Sequence, residues 1–138
     1  MKLMKTLLAF LLFAATPLLA DVSFTTSVTW EAFGPAGPQR PTISSISWRM
    51  SDSAKTLAVR DPDSGEVVIV RYLGTKTDGL TTGVMMAGAT SNGRRVLVNL
   101  LGRSGRVNYT LTVMNGSKEH MIYGPCSDEL EQCFHVYR

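Results

Sequence analysis

Side chains that do covalent or metal chemistry are scarce in this sequence. Among 138 residues there are two cysteines and two histidines, and all four fall in the closing stretch HMIYGPCSDELEQCFHVYR. That scarcity removes several function classes. His120, Cys126, Cys133 and His135 have the spacing H-x5-C-x6-C-x-H, which is not a zinc-site pattern. A catalytic redox pair has two residues between its cysteines, whereas six stand here. The two histidines read as ordinary residues at strand ends. Serine is plentiful, but no Gly-x-Ser-x-Gly turn joins a strand to a helix, and GRSG at 102–105 reads as a hairpin tip. Asp61, Asp63 and Glu66 crowd one turn, DPDSGE, instead of flanking a cleft as glycoside chemistry requires. Their spacing also departs from that of an EF-hand calcium loop. No catalytic residue, metal ligand or cofactor-binding residue is assigned.

Membrane-spanning length is missing too. Lys2 and Lys5 precede an uncharged, mostly apolar run of 15 residues from Thr6 to Ala20. A spanning helix needs about 20 such residues. A basic start, a short apolar run and a small residue before Asp21 describe a secretory signal peptide, residues 1–20, followed by a single domain, 21–138. No cysteine follows the run to carry a lipid, so the expectation is a periplasmic or secreted protein with no integral membrane anchor after cleavage. The 14 basic and 11 acidic residues fall to 12 and 11 once Lys2 and Lys5 are removed, a net charge of +1. Such a balance carries no electrostatic footprint for nucleic acid.

What the chain has in quantity is two-residue periodicity. Val22, Phe24, Thr26, Val28, Trp30 and Ala32 alternate with Ser23, Thr25, Ser27, Thr29 and Glu31. RVNYTLTV repeats the pattern with Val107, Tyr109, Leu111 and Val113. Strand side chains point alternately to opposite faces, so each segment presents one apolar face and one wet face. The periodicity predicts that Phe24, Val28, Trp30 and the RVNYTLTV set share one core, with Trp48 joining it. Ile43 is out of phase with Ile46 and Trp48, which predicts a bulge or bend. EVVIVRYL is apolar on both faces, as a central or doubly covered strand would be. One of Met85 and Met86 must face inward.

The connections are short. DPDSGE, SNG, GRSG and NGSK have the glycine, proline and asparagine of tight turns. GPAGPQRP, residues 34–41, is a longer loop that no sheet ladder could accept. Strands so joined pair with their sequence neighbours, which predicts an all-β antiparallel meander of about eight strands, a barrel in preference to a sandwich. Long helices have no support in this pattern. Export and the turn chemistry of GPCSDELEQC together predict a Cys126–Cys133 disulfide closing a C-terminal loop. The bridge requires a helix of no more than one turn, since a continuous one would hold the Cα atoms about 10 Å apart.

The function expected of such a chain is binding: a non-catalytic domain that engages another protein or an envelope component, as an inhibitor or accessory subunit. A small-ligand carrier using a barrel interior is the alternative, and an unrecognised hydrolase the third. Arg103 and Arg106, at the GRSGR tip, are the candidate partner-binding residues, since guanidinium groups make planar, paired bonds to carboxylates and phosphates. Arg94 and Arg95 begin the same strand, about 20 Å away at strand rise, and form no single patch with them. The export reading is checked by intact mass. Exported protein is expected to begin at or near Asp21; retention of residues 1–20 would contradict it.

Overall fold

The computed structural model describes residues 21–138. The signal-peptide expectation falls on residues 1–20, outside the described residues. Alternating segments broken by turns give nine strands: β1 (Val22–Ser27), β2 (Trp30–Phe33), β3 (Ser45–Ser51), β4 (Thr56–Arg60), β5 (Val67–Asp78), β6 (Thr81–Ala89), β7 (Arg95–Arg103), β8 (Arg106–Asn115) and β9 (Lys118–Pro125). One helix, α1 (Asp128–Tyr137), follows. It is the only one among the described residues, and it is not long and apolar enough to cross a membrane.

All pairings are antiparallel, in the order β1-β3-β4-β5-β6-β7-β8-β9-β2. The sheet turns two corners, one within β5 and one between β1 and β2. Val67–Val70 of β5 pair with β4, and from Arg71 onward β5 pairs with β6, with a register shift between Tyr72 and Gly74. A Cβ on Gly88 of β6 would stand 2.4 Å from the Ile69 carbonyl oxygen, so only glycine permits this corner. At the other corner Val28 and Thr29 alone separate β1 from β2, which occupy opposite edges. There the Thr29 amide donates to the Tyr123 carbonyl at 2.7 Å.

The expected barrel is therefore not closed. β1 and β2 do not pair with one another, and the nine strands form a curled half-barrel. The join also reverses the alternation. Phe24 and Val28 pack on the core and Thr26 is buried, but in β2 it is Glu31 that points inward, fully buried. Trp30 was expected in the core and instead stacks on Tyr123 with ring centroids 5.1 Å apart. The remaining core expectations hold: Trp48, Val107, Tyr109, Leu111 and Val113 are buried. Met86 faces inward and Met85 outward. Ile43 lies ahead of β3, packed on the core, so the phase break is a strand start and not a bulge. β5 is central but covered on one face only, with Val68 and Val70 buried and Val67 and Ile69 exposed.

The C-terminal segment corrects two expectations. Ser127 caps α1 by accepting a bond from the Leu130 amide at 3.3 Å. Asp128, Glu129 and Glu131 in the first turn and His135 in the last suit the helix dipole. Leu130, Cys133 and Phe134, at i, i+3 and i+4, form the stripe that α1 buries. Burying Leu130 and Phe134 contributes on the order of 1.5–3 kcal/mol each. This favours a ten-residue helix over the single turn that the bridge needs. Cys126, ahead of the helix, and Cys133, in its buried stripe, are free thiols, and no disulfide closes the loop.

The corners generate a stability test. Gly88→Ala and Gly124→Ala, the latter placing a Cβ 2.2 Å from the Ser27 carbonyl oxygen, are each expected to destabilise by about 1–3 kcal/mol. Gly37→Ala meets nothing within 4 Å and is expected to stay within about 0.5 kcal/mol of wild type in urea unfolding.

Candidate functional site

Strand polarity sorts the chemistry-bearing residues to two ends. The loops 34–41, 61–66, 90–94 and 115–118 collect at one. The β5–β6 turn, the β7–β8 tip and α1 collect at the other.

The loop end holds a charged cluster. Glu31 accepts bonds from the Thr42 amide and from its hydroxyl, the latter at 2.9 Å. His120 places Nε2 2.8 Å from Glu31 Oε1 and Nδ1 3.0 Å from Asp63 Oδ1, while Phe33 stacks on its ring at 4.3 Å. Arg94 lies 3.4 Å from Asp61 and 3.7 Å from Asp63. The DPDSGE carboxylates are bound by protein donors: Asp61 by the Asp63 amide and Ser64 hydroxyl, Glu66 by the Ser91 amide and hydroxyl. Burial raises the Glu31 carboxyl, but its bonds to Thr42 and His120 outweigh that and hold it below its ordinary range. A cleft of about 410 Å³ opens beside the cluster, lined by Phe33, Pro35 and His120, with Arg94 and Lys118 offset by Asp63 and Glu119. Its charges favour neither sign of ligand.

The helix end is different. At the β7–β8 tip Ser104 (φ 53°) and Gly105 (φ 78°) both take left-handed backbone, the two-residue hairpin turn whose twist matches its strands. That turn sets Arg103 directly opposite Arg106. Like charges in this position are destabilising. Phe134 lies against Gly102, where an added Cβ would come within 2.4 Å of its ring, and so seats α1 on the base of the tip. Glu131, Phe134, His135 and Arg138, at i, i+3, i+4 and i+7, then face the tip across a groove of about 250 Å³. Leu80, 76% exposed, stands on its rim. Among the described residues Arg103, Arg106 and Arg138 form no ion pair; the pairs run through Arg49, Arg94 and His120. Arg138 follows the last helical turn, where a cation is favourable. Arg103 and Arg106 have no such structural use.

The four residues of the C-terminal stretch are not brought together. His120 belongs to the loop end, His135 is exposed on α1, and both thiols lie at the base of α1. Burial pushes the Cys126 thiol up to about 12, with Glu131 and Cys133 adding to the shift, and burial pushes Cys133 up to about 11. Thiolates, the form that attacks or ligates, are disfavoured at both. Sequence reasoning singled out Arg103 and Arg106, weighed His135 only as a metal ligand and did not consider Arg138; the i, i+4, i+7 spacing of the last two with Glu131 was the available signal once a full helix was granted. Comparison with family models, with curated proteins and with solved structures returned no match.

The pH dependence of the loop end follows from Glu31. Its folded carboxyl lies below the unfolded value of about 4.5, so its stabilisation is complete above that pH and is lost as pH falls through the folded value. Glu31→Gln is expected to destabilise at neutral pH by about 1–3 kcal/mol, since the buried partners lose a charged acceptor. The difference between variant and wild type is expected to shrink on acidification below about pH 4.5. A constant difference in urea unfolding from neutral pH to pH 3 would contradict this role.

Proposed function

We propose that this chain is an exported, non-catalytic β-domain that binds another protein or an envelope component, as an inhibitor or accessory subunit, through the groove at its helix end. One observation carries the reading: Arg103 and Arg106 sit opposed on a tight tip beside Arg138, around one concavity, with no ion pair to any of them among the described residues. Folding alone gives no reason to set the two tip charges against each other. An acidic partner would relieve the repulsion.

The interior weighs against a carrier. Leu57, Val59, Val84, Val98, Leu100, Tyr109 and Ile122 fill it with no exposed surface. Catalysis finds little support in the side chains that would perform it. Both His120 nitrogens face carboxylates, which leaves no ring nitrogen for a nucleophile. Cys133 is buried and Cys126 half-buried, and both thiols are held protonated. Export rests on residues 1–20 of the sequence, and with it a periplasmic or extracellular place of work.

Arg103→Ser/Arg106→Ser tests the reading. Melting is expected to change by no more than about 0.5 kcal/mol, or to rise slightly as the like-charge pair is removed. In affinity capture from envelope extract, a component held by the wild-type domain is expected to be lost by the double variant. Raising the salt should weaken wild-type capture, as screening of exposed charges requires. Unaltered capture by the variant would remove the groove from the binding surface.

A further inference from the structure

The groove described above also limits what can enter it. Its three cations share the concavity with Leu80, which at 76% is the most exposed large apolar residue among the described residues. Its volume of about 250 Å³ accommodates one or two side chains. Glu131 lines it as well, so a run of consecutive acids would meet repulsion alongside attraction. A lipid surface would call for cations and apolar side chains directed to a common plane, whereas these line a hollow. A free phosphate would leave Leu80 without a role.

We infer that the groove takes an acidic peptide segment of a partner protein, in which a Glu or Asp lies next to a bulky apolar residue. The carboxylate sits among Arg103, Arg106 and Arg138, where a guanidinium fork pairs with both of its oxygens. The apolar neighbour lies against Leu80 and the rim of Phe134. The inference rests on the partner-binding reading and adds the chemistry of what is bound.

Fluorescence anisotropy on the mature domain with short labelled peptides tests it. A peptide alternating Glu and Leu is expected to bind, one alternating Glu and Gly to bind about tenfold more weakly, and one alternating Lys and Leu not to bind. Leu80→Ser, at an exposed turn, is expected to reduce the Glu–Leu affinity to that of Glu–Gly and leave the latter unchanged. Arg103→Ser/Arg106→Ser is expected to abolish both, with unfolding curves confirming that each variant is folded. Equal affinity for the two acidic peptides, or indifference to Leu80→Ser, would overturn the apolar half of the inference. Arginine-dependent binding to phosphatidylglycerol vesicles or to inorganic phosphate, with no peptide bound, would overturn the whole of it. The partner-binding reading fails separately: it survives if capture still depends on Arg103 and Arg106 while every peptide is ignored.

Discussion

The half-barrel depends on a carboxylate placed where a hydrophobe would be expected. Glu31 lies just past the join at which the N-terminal segment leaves one sheet edge and reaches the other. Its oxygens are taken by Thr42 on the far side of the 34–41 loop and by His120 on β9. A buried carboxylate without such partners would cost several kcal/mol. With them it ties β2, β9 and the approach to β3 into one unit. Asp63 and Arg94 extend the ties to the β4–β5 and β6–β7 turns. Two further bonds hold the same seam: Tyr109 donates to the Ser27 carbonyl at 2.8 Å, and Trp48 donates to the Thr26 hydroxyl at 2.7 Å.

This arrangement divides the molecule's charges by use. At the loop end Glu31, Asp61, Asp63, Arg94 and His120 are paired with one another, with the buried Arg94 Nε left without a partner, and the charges of the cleft beside them are balanced. At the helix end, α1 is held by Leu130, Cys133 and Phe134, and among the described residues Arg103 and Arg106 of the neighbouring tip take part in no ion pair. Burial and pairing consume the first set. Exposure and opposition single out the second. The functional reading grows from that contrast between the two ends, not from the presence of arginine as such.

The sequence made the sheet legible because its signal is local. Alternation in RVNYTLTV and the glycine turns around it depend only on nearest neighbours, and strands β7 to β9 follow from them. What it hid were features set by distant partners. Trp30 and Glu31 exchange faces because the chain changes sheet edge at Val28 and Thr29, and hydropathy alone favours the tryptophan as the inward residue. The open sheet follows from the same crossing, which separates β1 from β2 in a segment that reads as one strand. The helix was underestimated because the expected bridge shortened it, whereas the gain from burying Leu130 and Phe134 extends it. Of the site, the tip arginines were visible in GRSGR. His135 and Arg138 came into view only with a helix long enough to align them.

The central claim is that the helix end, and not the loop end, is the binding surface. Amide chemical-shift mapping tests it most directly, with isotope-labelled residues 21–138 titrated with an arginine-dependent ligand. The account expects shifts concentrated at residues 80–82, 102–107 and 131–138. Shifts concentrated instead around Phe33, Asp63, Arg94 and Lys118–His120 would contradict it and move the site to the opposite end of the half-barrel.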